Sequence, residues 1–556
     1  MKSAFARRSR VALGLGVALV ASLLAFPQQA VAAEVAPIST AGATLTPVNN
    51  FTKAIASAEA NPALSAAKDV PVAEVLTART GRPALCHNTG LNGALRYDGF
   101  CWNEADDTTG YADPAGGWMP QGFTGSHAAS AGGLYDGRHL YAASWYFGKY
   151  ANGQANEQYS RISIAESTGD QVRYGHIALV EPTETEAGGF TELRYKSHAD
   201  GIAWSGSKLF VANGIELQVY DLKHLWRMGT TESGSTGISG GVASARYHRW
   251  ALPMVARYKT ANITTDPRAC GPSNDNKICL SSLSIDGQSQ HLISAEHRGG
   301  AGGRIYRWPL GPLSAALPQP ANAVAGYTTP VFQVQGIASD GTNLYMSGDC
   351  PETWSAGYSC IHVAQPGQSP HVLTQAPSLT QGLSWAPQAG RLWGLNEALA
   401  TSGVGRRVVF SIDPDAGKEV GGWGWMSNFT EPGFVCATPQ GEGTANGTIV
   451  TVWNCTGAES QRWAFQNGRL VHKVSGKCLT PQGDASSTDG ALLTLWTCNS
   501  AAESQQFFPR NGTISNSHGK AVTPKGGSLG KGVYLTLWRF IGPTVSGDQK
   551  WSVKGF

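Results

Sequence analysis

Cys436-Ala437-Thr438-Pro439-Gln440-Gly441 returns as Cys478-Leu479-Thr480-Pro481-Gln482-Gly483, and again as Ala521-Val522-Thr523-Pro524-Lys525-Gly526. The spacings are 42 and 43 residues. Each copy leads into an apolar run that ends in tryptophan: Val452-Trp453, Leu495-Trp496 and Leu537-Trp538. Each then closes on Gln-x-aromatic, as Gln461-Arg462-Trp463, Gln505-Gln506-Phe507 and Gln549-Lys550-Trp551. Spacing, cysteine placement and closing motif agree across the repeats, so residues 428–556 read as one domain of three like units.

Three units of this length with a terminal Gln-x-Trp signature resemble the ricin-type β-trefoil, a sugar-binding module. The resemblance implies that Trp463, Phe507 and Trp551 share a core around a threefold axis. It also implies that Gln461, Gln505 and Gln549 fix turns, and that Cys436/Cys455 and Cys478/Cys498 are bridges within repeats. The third unit carries Ala521 and Phe540 at the bridge positions. For binding, it implies stacking platforms at Trp453, Trp496 and Trp538, with a polar group beside each. Galactose-binding relatives place Asp two residues after the first Cys; here Thr438, Thr480 and Thr523 stand there. Thr451, Thr494 and Thr536 replace a family Gln, and Ser460, Ser504 and Asp548 a family Asn. Threonine accepts a hydroxyl without the strength of a charged acceptor. A glycan or polysaccharide partner is therefore implied, and galactose specificity is not.

Upstream, over residues 86–425, a second pattern recurs: a polar residue and Gly, a short apolar run, a turn and another apolar run. Gln121-Gly122-Phe123, Asp200-Gly201-Ile202, Gln335-Gly336-Ile337 and Gln381-Gly382-Leu383 begin four copies, and Ser282-Leu283-Ser284-Ile285 a degenerate one. Strand, turn, strand, turn, strand at a repeating period reads as a β-propeller of five blades, or six if the termini close another. A β-sandwich is the competing reading. The fold class expected is all-β: a propeller followed by the trefoil. Trp118-Met119-Pro120-Gln121-Gly122, Ser144-Trp145-Tyr146, His198-Ala199-Asp200-Gly201-Ile202-Ala203-Trp204 and Arg304-Ile305-Tyr306-Arg307-Trp308-Pro309-Leu310 resemble uncharacterised secreted domains of actinobacteria. That resemblance implies a fold and no chemistry.

In a propeller, loops entering first strands and loops leaving second strands share one face. The register sends Glu296, Asp349 and Glu397 there from second strands, and His198 and Asp200 from the entry side. Carboxylates and histidine on one face are suited to general acid/base work, and two carboxylates across a pocket to glycoside cleavage. These five residues are the catalytic candidates. His198 and Asp200 could equally bind a calcium or zinc ion, but no recognised metal motif surrounds them, and Gly299-Gly300-Ala301-Gly302-Gly303 lacks the lysine of a phosphate loop; no metal and no cofactor is expected. Two functions compete: a glycan-binding protein with a second ligand on the propeller, and a glycan-directed hydrolase with the trefoil as its binding module; a third, a lyase or cyclotransferase on a five-bladed scaffold, rests on fold analogy alone.

The start of the chain reads as an export signal over residues 1–32. Lys2, Arg7, Arg8 and Arg10 precede an apolar run from Val11 to Phe26, and Ala30-Val31-Ala32 is a cleavage site. That run is short of the roughly 20 residues a spanning helix needs, so a soluble extracellular protein is expected. Residues 33–85 are Ala-rich; Phe51 to Lys68 suits one or two helices, with Asn50 as cap and Pro62 as interruption. Ten cysteines in an exported chain read as disulfides: Cys86/Cys101, Cys270/Cys279 and Cys350/Cys360 join the two trefoil pairs. The net charge of +3 lacks the basic footprint of a nucleic-acid binder. A monomer is expected.

Overall fold

The computed structural model describes residues 34–553 apart from 66, 92–94, 111–114, 152–153, 186–187, 195–196, 261–276, 288–290, 300–301, 352–356, 399–405, 417–422, 429–434, 467, 500, 511–512 and 541–546. The export-signal reading and Cys270 lie outside the described residues. No helix among the described residues is long and apolar enough to cross a membrane.

The protein is all-β. Five antiparallel four-strand sets follow one another before residue 413. The first runs Gly117–Gly125, Tyr141–Ala151, Gln154–Thr168 and Gln171–Thr183. The second runs Gly201–Ser205, Lys208–Asn213, Glu216–Asp221 and Trp250–Lys259. The third begins at Ser282–Ile285, the fourth at Gly336–Ser339 and the fifth at Thr380–Ala386. The fifth takes its fourth strand, Asp98–Cys101, from the other end of the domain, where it pairs with Val409–Ile412. The first strands of neighbouring sets touch: first with second, second with third, third with fourth, fourth with fifth and fifth with first.

The polar-Gly motif has its cause in that contact. A Cβ on Gly122 would lie 2.4 Å from Ile202 N, and one on Gly201 2.5 Å from Leu283 N. One on Gly336 would lie 2.2 Å from the Gln381 carbonyl oxygen, and one on Gly382 2.5 Å from Phe123 N. Main chain meets main chain there, and only glycine leaves room.

The Ala-rich segment packs on these sheets. The helix runs Thr52–Ala60 with Phe51, not Asn50, at its N-cap; Asn50 stands one residue earlier and accepts from Thr52 N at 3.0 Å, and a second helix begins at Pro62. Thr44–Asn50 adds an edge strand beside Trp250–Lys259. The Gly/Ser-rich stretch from residue 229 is a hairpin, Thr236–Ser239 with Val242–Ala245.

The C-terminal domain repeats one hairpin three times: Val435–Pro439 with Val450–Asn454, Cys478–Pro481 with Leu493–Trp496, and Lys520–Pro524 with Leu535–Arg539. Trp463, Phe507 and Trp551 are buried in a single cluster. Four disulfides are present as paired from the sequence: Cys86–Cys101, Cys350–Cys360, Cys436–Cys455 and Cys478–Cys498. Cys279 is also disulfide-bonded.

Gly382→Ala should lower the stability of the larger domain by about 1–3 kcal/mol, the usual cost of overpacking. Gly132→Ala, whose Cβ would meet nothing within 4 Å, should leave it unchanged. Denaturant midpoints decide; equal midpoints for the two variants would refute the close approach.

Candidate functional site

Trp453, Trp496 and Trp538 are 43, 49 and 40% exposed, while their strands are otherwise largely buried. Each indole is backed by a glycine of another repeat. Trp496 lies by Gly447, Trp538 by Gly490 and Trp453 by Gly532, within 4.0 Å of the place a Cβ would take. Those glycines have φ of +84, +81 and +78, which favours residues without a side chain. Their N–H groups donate to Leu495, Leu537 and Val452 carbonyls at 2.7–2.8 Å, one residue before each platform. Each repeat thus braces its neighbour's indole.

The closing glutamines do what the resemblance implies. Gln461 Nε2 donates to the Asn454 carbonyl at 2.7 Å, and its Oε1 accepts from Thr456 N at 2.7 Å. Gln505 makes the matching bonds to Thr497 and Asn499. Gln549 donates to the Arg539 carbonyl at 3.1 Å.

The threonines expected beside the sugar are placed elsewhere. Thr438, Thr480 and Thr523 are buried, and each hydroxyl accepts from the closing Gln of its repeat at 3.0–3.1 Å. Each also donates to the carbonyl two residues back. Both capacities of these hydroxyls serve the repeat itself. The polar groups nearer the surface are Glu442, which accepts from Ser460 at 3.1 Å, and Asp484, which accepts from Ser504 at 2.7 Å.

In the larger domain, Glu296, Asp349 and Glu397 all stand at the ends of second strands, as the register requires. Their surroundings differ. Glu296 is buried, accepts from Cys279 N at 3.0 Å and is paired with Arg304 and Arg298. Those ties give it a structural part. Asp349 is exposed, and desolvation raises its pKa while His297 opposes the shift.

Glu397 is the centre of a cluster. Gln121 and Gln381 donate to its Oε2 at 2.9 and 3.0 Å, and Tyr146 OH donates to Oε1 at 3.5 Å. Tyr146 also stacks on His198 at 4.0 Å, and His198 Nδ1 is 2.8 Å from Asp200 Oδ1. Asp200 in turn accepts from Gly214 N at 2.9 Å. Glu397, His198 and Asp200 are thus brought together through Tyr146. Sequence reasoning missed this residue as a site member, although it stands at the end of the Ser144-Trp145-Tyr146 motif.

Residues 426–554 match the family described as the ricin-type beta-trefoil lectin domain. The C-terminal domain is a ricin-type β-trefoil. Its family implies carbohydrate binding, and the trefoil's three exposed indoles are the groups suited to it. The chain also shares 38% identity over 47 residues with the probable lipoprotein EnvE of Salmonella typhimurium, 8% of this chain and 27% of that protein. It therefore spans about a quarter of the curated relative it matches. Among solved structures, the earthworm R-type lectin C-half in complex with GalNAc is 14% identical, covering 24% of this chain and 97% of that one (TM-score 0.20). The exo-beta-1,3-galactanase of Clostridium thermocellum is 12% identical, covering 82% and 93% (TM-score 0.21).

Besides the trefoil and the Glu397 cluster, a buried charge network lies in the first sheet. Asp106 accepts from Arg161 at 3.0 Å, Tyr174 OH at 2.6 Å and Arg79 at 3.4 Å. His176 Nε2 is 3.0 Å from it, and His176 Nδ1 is 2.8 Å from Ser163 Oγ. Burial alone would raise the Asp106 carboxyl; the His176 ring and the Arg161 and Arg79 charges outweigh it and hold the group well below the carboxylate range. Burial pushes His176 and His362 down to about 4, and His127 and His248 to about 3.

These four histidines fold neutral but take up protons near pH 6.5 once unfolded, so stability rises with pH across that window. Acidification from pH 7 towards pH 4 should therefore lower the denaturant midpoint steadily, with Asp106 adding to the loss below the carboxylate range. A midpoint that stays flat between pH 7 and pH 5 would show that these rings are not buried neutral.

Proposed function

We propose that this chain is an exported polysaccharide-binding protein, with the trefoil as its anchor and the larger domain as a five-bladed propeller. On this reading residues 1–32 are the signal, 33–85 the extension, 86–425 the propeller and 428–556 the trefoil. One observation carries the proposal: three indole faces, each 40–49% exposed, sit at matched places in three repeats. Each is held by a neighbour's glycine loop, so little order is lost on binding. An exposed indole is a costly surface in water and a good platform for the C–H face of a sugar ring. Three sites on one rigid module would bind a polymer with avidity beyond any single site.

The test is retention on insoluble glycans. Trp453→Ala, Trp496→Ala and Trp538→Ala together should abolish retention while the larger domain stays folded. A single platform loss should weaken binding by about 2 kcal/mol, roughly 30-fold. Trp538 should matter least, since its repeat lacks a disulfide. Retention by the triple variant equal to the parent would refute the platform assignment.

The Glu397 cluster favours a second reading, a glycan-directed hydrolase. A carboxylate positioned by two glutamines and a tyrosine, near a His–Asp pair, is a candidate acid or base. If the larger domain is an enzyme, Glu397→Gln should reduce turnover by about two orders of magnitude or more with little effect on folding. Full turnover by this variant would remove Glu397 from the chemistry.

A further inference from the structure

A cavity in the larger domain is lined by none of the residues of the Glu397 cluster. It encloses about 880 Å³ against the outer strands of the first sheet, beneath the turn that follows the Thr236–Ala245 hairpin. Its wall is aromatic and cationic. Trp118 and Phe147 meet edge to face and Phe147 and Tyr159 at a tilt, with centroids 5.5 and 6.2 Å apart. Arg79, Arg161, Arg246 and Arg249 line the same space, and among the described residues no Asp or Glu does.

Three of these cations have acidic partners set back from the cavity. Asp106 lies behind Arg161 and Arg79, and Glu192 is 3.3 Å from Arg246. Glu74, which accepts from Trp250 at 3.0 Å and lies near Arg249, is itself paired with Arg227, so four arginines keep an excess of positive charge in a partly enclosed aromatic space. Such a space concentrates field lines and favours an anion. Arg161 is the built part of the site. Its side chain is 5% exposed, and its guanidinium lies 4.3 Å from the Trp118 centroid and 5.0 Å from that of Trp145. Its Nε is buried and unpartnered.

The rim is held in an unusual conformation. Arg246 and Tyr247 are consecutive non-glycine residues with φ of +44 and +65. Their N–H groups donate to the Ser235 and Ser233 carbonyls at 3.0 and 2.9 Å, and the His248 ring is 2.8 Å from the Arg246 carbonyl oxygen. This turn sets Arg246 over the Tyr159 ring at 3.4 Å and leaves Tyr247 65% exposed at the mouth.

We propose that this cavity is a second ligand site, one that takes a saccharide bearing an acidic group. The aromatic wall offers area to the C–H face of a sugar ring, and the guanidinium forks offer paired donors to a carboxylate or sulfate. A neutral sugar would leave the arginines without a ligand partner, so the site discriminates for charge. The site goes beyond the trefoil reading and does not depend on it. A polymer held by the trefoil would meet it at raised effective concentration.

The experiment uses the full chain with Trp453, Trp496 and Trp538 changed to Ala, so that trefoil binding cannot mask the result. Calorimetry compares three oligosaccharides of equal length: an oligogalacturonate, a sulfated oligomer and a neutral one. Binding of either acidic oligomer, weakened by added salt and at least about tenfold tighter than the neutral one, is the expected result, and which acid binds identifies the source of the charge. Arg246→Ala and Arg249→Ala, both at the rim, should each weaken that binding about tenfold or more without lowering the thermal midpoint. Equal binding of all three, no binding of any, or acidic binding unaffected by both rim changes would overturn the proposal.

Discussion

The larger domain depends on a backbone contact that only glycine permits. Gly122, Gly201, Gly336 and Gly382 bring first strands together with no side chain between them. Gln121 and Gln381 precede two of these glycines, and Gly382 lies against the Gly122–Phe123 main chain. The two glutamine side chains are therefore neighbours, and both donate to Glu397. Asp200 precedes Gly201 in the same way and faces His198. Gln121, Asp200 and Gln381, each the residue before a glycine at the meeting strands, reach the candidate site in this way.

The trefoil applies a related rule to its surface. Glycines in left-handed turns let one repeat's loop approach the next repeat's strand, and the indoles rest on that loop. The third repeat holds its end without a bridge: Arg539 N donates to Asp489 at 2.9 Å and Phe540 N to the Gly519 carbonyl at 3.1 Å. The Phe540 bond stands at a position where the other repeats have a bridging Cys, whereas the Arg539 bond has a counterpart in the second repeat, where Thr497 N donates to Asn446 Oδ1 at 3.0 Å.

What was legible in the sequence is what repetition exposes. Three copies of Thr-Pro followed by Gly, three terminal tryptophans and four polar-Gly starts each marked a position by recurrence. The all-β class and the C-terminal domain came from that recurrence, as did the strand ends carrying Glu296, Asp349 and Glu397. Side-chain fate was not legible. Thr438, Thr480 and Thr523 sit where a family comparison puts sugar ligands, yet the closing glutamines engage them from within. Glu296 shares its register with Glu397, but Arg304 and Arg298 occupy it. The arginine cavity had no signature at all, since its lining comes from residues between Ala78 and Trp250 that no repeat relates.

On the proposed reading, glycan meets this protein at Trp453, Trp496 and Trp538. Fluorine NMR of protein labelled with fluorotryptophan reports on all 17 tryptophans at once. On titration with a retained oligosaccharide, the resonances of Trp453, Trp496 and Trp538 should shift, while those of buried Trp463 and Trp551 stay in place. Saturable glycan binding that leaves all three platform resonances unmoved would contradict the account.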